Sequence, residues 1–178
     1  MLFETLTVIV GIISLINLAL LLGVIKRLRE TTARNDEGHE TDEPLAIAIP
    51  GRSVPPFVVR TTTGEEITEA SLSGSTMVGF FSPGCGMCKV RIPDFLIRAR
   101  QLERASGRAI AVVTSADNGG AEIAAKLESA AKVCVGEDGE GLVVALEVVG
   151  FPAFALLEGD VMVQSGTGVP LLSDPVAA

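Results

Sequence analysis

Apolar and polar positions fall into blocks of different length and period along the chain. Residues 5–25 carry no charge and are mostly Leu, Ile and Val. A helix needs about 20 such residues to cross a bilayer core, so residues 1–25 are predicted to form one N-terminal transmembrane helix. No Lys or Arg precedes the run and no clear Ala-x-Ala site follows it, which favours an uncleaved anchor over a removed signal peptide. Residues 26–50 carry Glu30, Asp36, Glu37, Glu40, Asp42 and Glu43, with almost no apolar residue before Leu45. Such a segment buries too little surface to offset its ordering entropy and reads as a flexible acidic linker.

Residues 51–165 have the periods of a folded domain. Residues 57–60 and the stretch resuming at Ile67 read as short strands around the Thr63-Gly64-Glu65-Glu66 turn. Met77-Val78-Gly79-Phe80-Phe81 is a continuous apolar run, the pattern of a strand buried on both faces. Ser82-Pro83-Gly84 breaks it. A helix is predicted over 85–104, closed by Ser106-Gly107. Residues 109–114 and 133–135 read as strands, and 120–131 and 139–147 as helices. Two further strands, 153–157 and 161–165, are joined by Glu158-Gly159-Asp160 as a hairpin. Residues 166–178 are expected to form an unstructured tail. Strands alternating with helices, then a terminal hairpin, predict an α/β sandwich with a mixed central sheet.

The helix over 85–104 carries the chemistry. Cys88, Ile92, Phe95, Ala99 and Leu102 recur at helical spacing and share the face that must be buried. Cys85, at the helix start, is free to stay exposed. A disulfide between Cys85 and Cys88 would close too small a loop to add much stability, so the pair suggests redox work. An exposed sulfur can attack a disulfide and a shielded one can resolve the mixed disulfide. The helix N-terminus favours a thiolate at Cys85. Lys89 and Arg91, in the first two turns, are candidates to reinforce it.

Composition narrows the alternatives. The chain has 178 residues and a net charge of −8, which argues against nucleic-acid binding as its main role. Trp and Tyr are absent, and three cysteines are too few for a disulfide-stapled scaffold. A zinc site at Cys85 and Cys88 would need two more ligands, and only Cys134 and His39 are candidates. No metal and no cofactor is expected. Cys134, in an apolar strand, reads as a small buried hydrophobe.

Two prolines add a further pattern. Pro93 lies inside the helical segment, where it should kink the helix. Pro152 stands at the mouth of a buried strand, where a cis bond is one explanation. The segment Phe80-Phe81-Ser82-Pro83-Gly84-Cys85-Gly86-Met87-Cys88-Lys89, with Pro93 and with Val149-Gly150-Phe151-Pro152, resembles the thioredoxin active site and its cis-proline loop. The resemblance implies a thioredoxin-like three-layer sandwich, with Cys85 as nucleophile and Cys88 as resolving thiol. It implies a cis Pro152 that, with Phe151, shapes the groove for substrate backbone. With the N-terminal anchor, the chain looks most like the membrane-anchored TlpA and MauD types. That resemblance implies client proteins carrying disulfides or dithiols, a separate redox partner, and a catalytic domain outside the cytoplasm. Lys26, Arg27, Arg29 and Arg34 follow the anchor, however, and the positive-inside rule alone would place the domain in the cytoplasm.

The sequence departs from the family pattern in three places. Gly84 stands where Trp is usual, Gly79 where a buried acid is usual, and Arg91 where some TlpA-type reductases carry Glu. The usual proton acceptors for Cys88 are therefore missing, and Glu147 is the carboxylate considered as a substitute. Arg91 in place of Glu should favour the reduced form and raise the potential above the ~−270 mV of thioredoxin. The alternative reading is a peroxiredoxin-like thiol peroxidase using Cys85. Ser82 fits the Thr of that family's Pro-x-x-x-Thr-x-x-Cys pattern, but Val78 occupies the Pro position. Metal delivery in the manner of a copper chaperone fits less well, because the cysteine spacing differs and no His lies in the domain.

Overall fold

Strand β3 (Ser75–Phe81) forms the middle of the molecule: every residue from Thr76 to Phe81 is buried and both its faces are covered. The computed structural model describes residues 46–170. The predicted anchor, most of the predicted linker and residues 171–178 lie outside the described residues. Among the described residues no helix is long and apolar enough to cross a membrane.

The chain begins with an antiparallel hairpin, β1 (Val58–Arg60) and β2 (Glu66–Thr68). After β3 come helix α1 (Gly86–Arg104), β4 (Arg108–Val113), α2 (Asn118–Leu127) and β5 (Lys132–Val135). A short 3-10 turn at Gly136–Gly139 leads into α3 (Glu140–Ala145), and the chain closes with β6 (Ala153–Glu158) and β7 (Val161–Gly166). The five-stranded sheet has the order β5-β4-β3-β6-β7. β3, β4 and β5 run parallel, and β6 and β7 antiparallel, so the sheet is mixed as expected.

Alternation along the strands sorts the core into two layers. Met77, Phe81, Ala111, Val113, Phe154 and Leu156 pack against α1 and α2. Val78, Phe80, Ile110, Val112, Ala155 and Leu157 pack against α3 and the β1–β2 hairpin, with Phe57, Val59, Ile67 and Leu142 opposite them. Cys134 joins this second layer, fully buried. The result is helices, sheet, then helix and hairpin: three layers.

Four boundaries differ from the expectation. α2 starts at Asn118 rather than 120, because the Asp117 side chain accepts the Gly120 N–H at 2.8 Å and caps the helix. It also ends four residues early, where the N–H groups of Ala130 and Ala131 both turn back to the Leu127 carbonyl. α3 is shorter than 139–147, because Glu147 takes a positive φ of 52° and breaks the helix. The end of the chain is not loose from 166: Val169 packs on the α1 side of the core and Pro170 is buried.

The largest difference lies at the start. Residues 46–50 were expected in the linker, yet Ile47 is 2% exposed and belongs to the core. Residues 46–54 form a strap. The Val54 N–H donates to the Asp160 carbonyl, the Gly51 N–H to Met162, and the Met162 N–H to Arg52. Ahead of these, the Ala48 N–H donates to Leu146 at 3.0 Å, and Ser165 Oγ donates to the Ala48 carbonyl at 2.6 Å.

Candidate active site

The site is assembled where β3 gives way to α1. Ser82-Pro83-Gly84-Cys85 is a tight turn, with the Cys85 N–H donating to the Ser82 carbonyl at 3.1 Å. Proline and glycine fill its two central positions, as turn chemistry favours. Cys85 is the N-cap residue of α1, with extended backbone (φ −87°, ψ 111°). Its sulfur accepts the N–H of Cys88 at 3.1 Å, so the sulfur does the work that a capping oxygen usually does. A thiolate accepts such a bond more strongly than a thiol.

Helix geometry separates the two sulfurs. Cys85 is half-buried, whereas Cys88, three residues on, is completely buried with Ile92, Phe95, Ala99 and Leu102. Burial first, then a hydrogen bond with Cys85, pushes the Cys88 thiol from 9.0 up to about 12. Burial also pushes Cys134 up to about 12, with the charge of Asp138 adding to the effect. Cys85, Cys88 and Cys134 are all free thiols in this structure.

The loop before β6 closes the site from the other side. The Phe151–Pro152 peptide bond is cis. Pro152 is buried, and Phe151 leaves 38% of its surface exposed. The Cys85 thiol donates to the Phe151 carbonyl at 3.4 Å. Cys85, Cys88, Phe151 and Pro152, distant in sequence, are thus brought together. Met87 and Val149, both largely exposed, add apolar surface on the same two segments.

Lys89 faces α2, where Lys126 first, and Lys89 after it, hold the Glu122 carboxyl below the usual carboxylate range. Arg91 lies 3.9 Å from Asp94 on its own helix. Lys89 also lines a cavity of about 310 Å³ with Pro83, Ile92, Pro93, Ile123 and Glu122. Pro93 is inside α1 as expected and sits on its exposed side.

Glu147 does not serve Cys88. Its carboxylate reaches Arg52 at 2.8 Å and is half exposed, and no carboxylate contributes to the Cys88 shift. The place of the usual buried acid is filled by hydrocarbon. A Cβ on Gly79 would lie 2.7 Å from the Phe95 ring and 3.0 Å from Phe81. Phe81, Phe95 and Phe154 pack together there, with ring centroids 5.3 to 6.1 Å apart. Among the described residues no three His, Cys, Asp or Glu side chains gather as a metal-ligand set.

The strap is what sequence reasoning missed at this site. The N–H groups of Val149 and Gly150 both donate to the Ala46 carbonyl, at 2.9 and 3.2 Å, directly behind the Phe151–Pro152 bond. The apolar run Leu45-Ala46-Ile47-Ala48-Ile49 was the available signal, and within it Ile47 and Ala48 are buried while Ile49 is 51% exposed.

No protein-family model and no curated protein matches the chain. Solved structures do. The thioredoxin domain of a thiol-disulfide oxidoreductase from Bacteroides vulgatus superposes with a TM-score of 0.56 at 16% identity, over 66% of this chain and 88% of that one. StoA from Bacillus subtilis gives 0.52 at 19% identity, over 65% and 90%. A secreted Mycobacterium tuberculosis disulfide oxidoreductase homologous to E. coli DsbE gives 0.51 at 22% identity, over 68% and 86%. At these identities the likeness is one of architecture, and the architecture of this chain is the thioredoxin-like α/β fold with a mixed central sheet.

Proposed function

We propose that the chain is a thiol–disulfide oxidoreductase working through Cys85 and Cys88. One observation carries the reading: a half-exposed thiol caps a helix, touches the Phe151 carbonyl and has a buried thiol one turn behind it. In the reducing direction, the Cys85 thiolate attacks one sulfur of a client disulfide. A mixed disulfide forms and the second client sulfur leaves as a thiolate, which takes up a proton. Cys88 then loses its proton and attacks the Cys85 sulfur, closing the Cys85–Cys88 disulfide and releasing the first client sulfur. The client gains two electrons and two protons, and the pair loses them. A separate redox partner resets the pair, and the reverse sequence oxidises a client dithiol.

Clients are proteins that present an apolar segment beside their cysteine, because the rim formed by Met87, Val149 and Phe151 is exposed and uncharged. The finer reading is a membrane-tethered enzyme of the TlpA or MauD type. Residues 1–25 would be the anchor, and the catalytic domain would act on exported clients outside the cytoplasm. The charge-free run at 5–25 supports the tether, and the Mycobacterium tuberculosis neighbour is a secreted protein. A membrane-impermeant thiol reagent should then label Cys85 in intact, reduced cells; labelling only after lysis would place the domain in the cytoplasm.

Insulin reduction measured beside hydroperoxide reduction tests the activity itself. Insulin turnover with dithiothreitol as reductant is the expected result. Peroxide turnover without insulin reduction would replace this reading with the peroxiredoxin-like one.

A further inference from the structure

The strap at 46–54 touches neither cysteine, yet it makes its contacts at one place that matters to them. Its Ala46 carbonyl collects the N–H groups of both Val149 and Gly150. The Ala48 N–H holds the Leu146 carbonyl. Arg52 pairs with Glu147 at 2.8 Å, the residue whose positive φ starts the loop. Ile47 is sunk into the core, in the same cluster as Leu146 and Val148. The remainder of the strap is pinned to β7 through Gly51, Arg52 and the Ser53–Val161 bridge. Every residue from 146 to 150 except Val148 is therefore gripped by a backbone or ionic contact from the strap, and Val148 shares its core with Ile47. The next residue is Phe151, whose carbonyl accepts the Cys85 thiol.

We propose that residues 46–52 are a positioning element of the dithiol site, holding the 147–152 loop so that the Phe151 carbonyl meets the Cys85 thiol. The proposal rests on the oxidoreductase reading only for its significance; the geometry stands without it. A carbonyl that accepts a thiol proton keeps that thiol in its less reactive form. Withdrawing the carbonyl leaves the thiol without that partner and uncovers the sulfur. The strap thus sets how much of Cys85 is poised to attack, and it does so from the segment that joins the domain to the residues before it.

Gly150 offers a direct handle. A Cβ there would lie 3.3 Å from the Ala46 Cβ and 3.6 Å from its Cα. Gly150→Ala therefore crowds the Ala46 methyl by a few tenths of an ångström, and Ala46→Gly in the same chain removes the closer of the two contacts. Ile47→Ala loosens the strap from a distance. The test is the rate of iodoacetamide alkylation at Cys85 in the reduced full-length protein, located by mass spectrometry and followed across pH. Gly150→Ala and Ile47→Ala should each raise that rate at neutral pH by about threefold to tenfold, the worth of one neutral hydrogen bond. The Gly150→Ala, Ala46→Gly double variant should return to the parent profile. Leu102→Ala, a buried change in the last turn of α1 and far along the helix from Cys85, should leave the profile in place. An unchanged profile in Gly150→Ala, or a change that Ala46→Gly does not reverse, overturns the proposal. Insulin reduction by the parent protein is scored separately: its absence would remove the oxidoreductase reading while the alkylation result still decides the role of the strap.

Discussion

Gly79 and Phe95 share one space: a Cβ on the glycine would come within 2.7 Å of the phenylalanine ring. This contact explains why the central strand carries a glycine and why no acid sits beneath Cys88. Gly79→Ala must displace Phe95 or Phe81 in a close-packed layer and should cost about 1–3 kcal/mol. Gly79→Asp should cost more, because it adds a carboxyl with no partner among three phenylalanines. Chemical denaturation of the two variants checks the order; an Asp variant as stable as the parent would mean that the ring moves aside freely.

Division of labour between the sulfurs gives a trapping result. Cys88→Ala should accumulate mixed disulfides through Cys85, since nothing remains to resolve them. Cys85→Ser should form none and should reduce no insulin. Non-reducing electrophoresis with mass spectrometry reads both outcomes. Trapping through Cys88 in a Cys85→Ser variant would reverse the assignment.

Much of this was legible in the sequence, and the limits have physical causes. The helical face at Cys88, Ile92, Phe95, Ala99 and Leu102 follows from period alone, and all five are buried together. The β3 run and the β6–β7 hairpin were equally plain, because apolar runs and turn residues are local signals. Phe95, by contrast, reads as one more core residue until β3 is laid beneath it; its encounter with Gly79 is a tertiary contact. The direction of Lys89 toward Glu122 is of the same kind, since a wheel places a side chain on a face without naming what lies opposite. The strap was lost because its apolar run is short and follows an acidic stretch, so composition outweighed pattern.

With no carboxylate acting on it among the described residues, Cys88 should govern resolution through its own thiol. That thiol is held up first by burial, a cause that persists when the Cys85 sulfur is tied up in the mixed disulfide. Between about pH 6 and pH 9 the thiolate fraction of such a group climbs about tenfold per unit. Stopped-flow release of a client thiol from the mixed disulfide should show that rise without a plateau. A plateau starting near neutral pH would reveal a proton acceptor.

Stability of the reduced protein should fall on the alkaline side. Cys88 and Cys134 both rise from 9.0 to about 12 on folding. Between those values the unfolded chain has released protons that the native state still holds, so the unfolding free energy decreases with pH. The slope should correspond to about two protons, and to about one in Cys134→Ala. Denaturant titrations across that range measure it. A reduced protein whose stability is flat from 9 to 12 would show that the two buried thiols ionise as freely folded as unfolded.

The reduced pair is stabilised by contacts that a disulfide would disturb. The Cys88 N–H bonds to the Cys85 sulfur, and the Cys85 thiol bonds to the Phe151 carbonyl. Stabilising the reduced form raises the potential of the couple. The most direct measurement is a redox titration in glutathione buffers, with the Cys85–Cys88 disulfide quantified by mass spectrometry. A single two-electron step with a midpoint above about −270 mV is the predicted result. A midpoint at or below that value, or a pair that stays oxidised in every buffer, would contradict it.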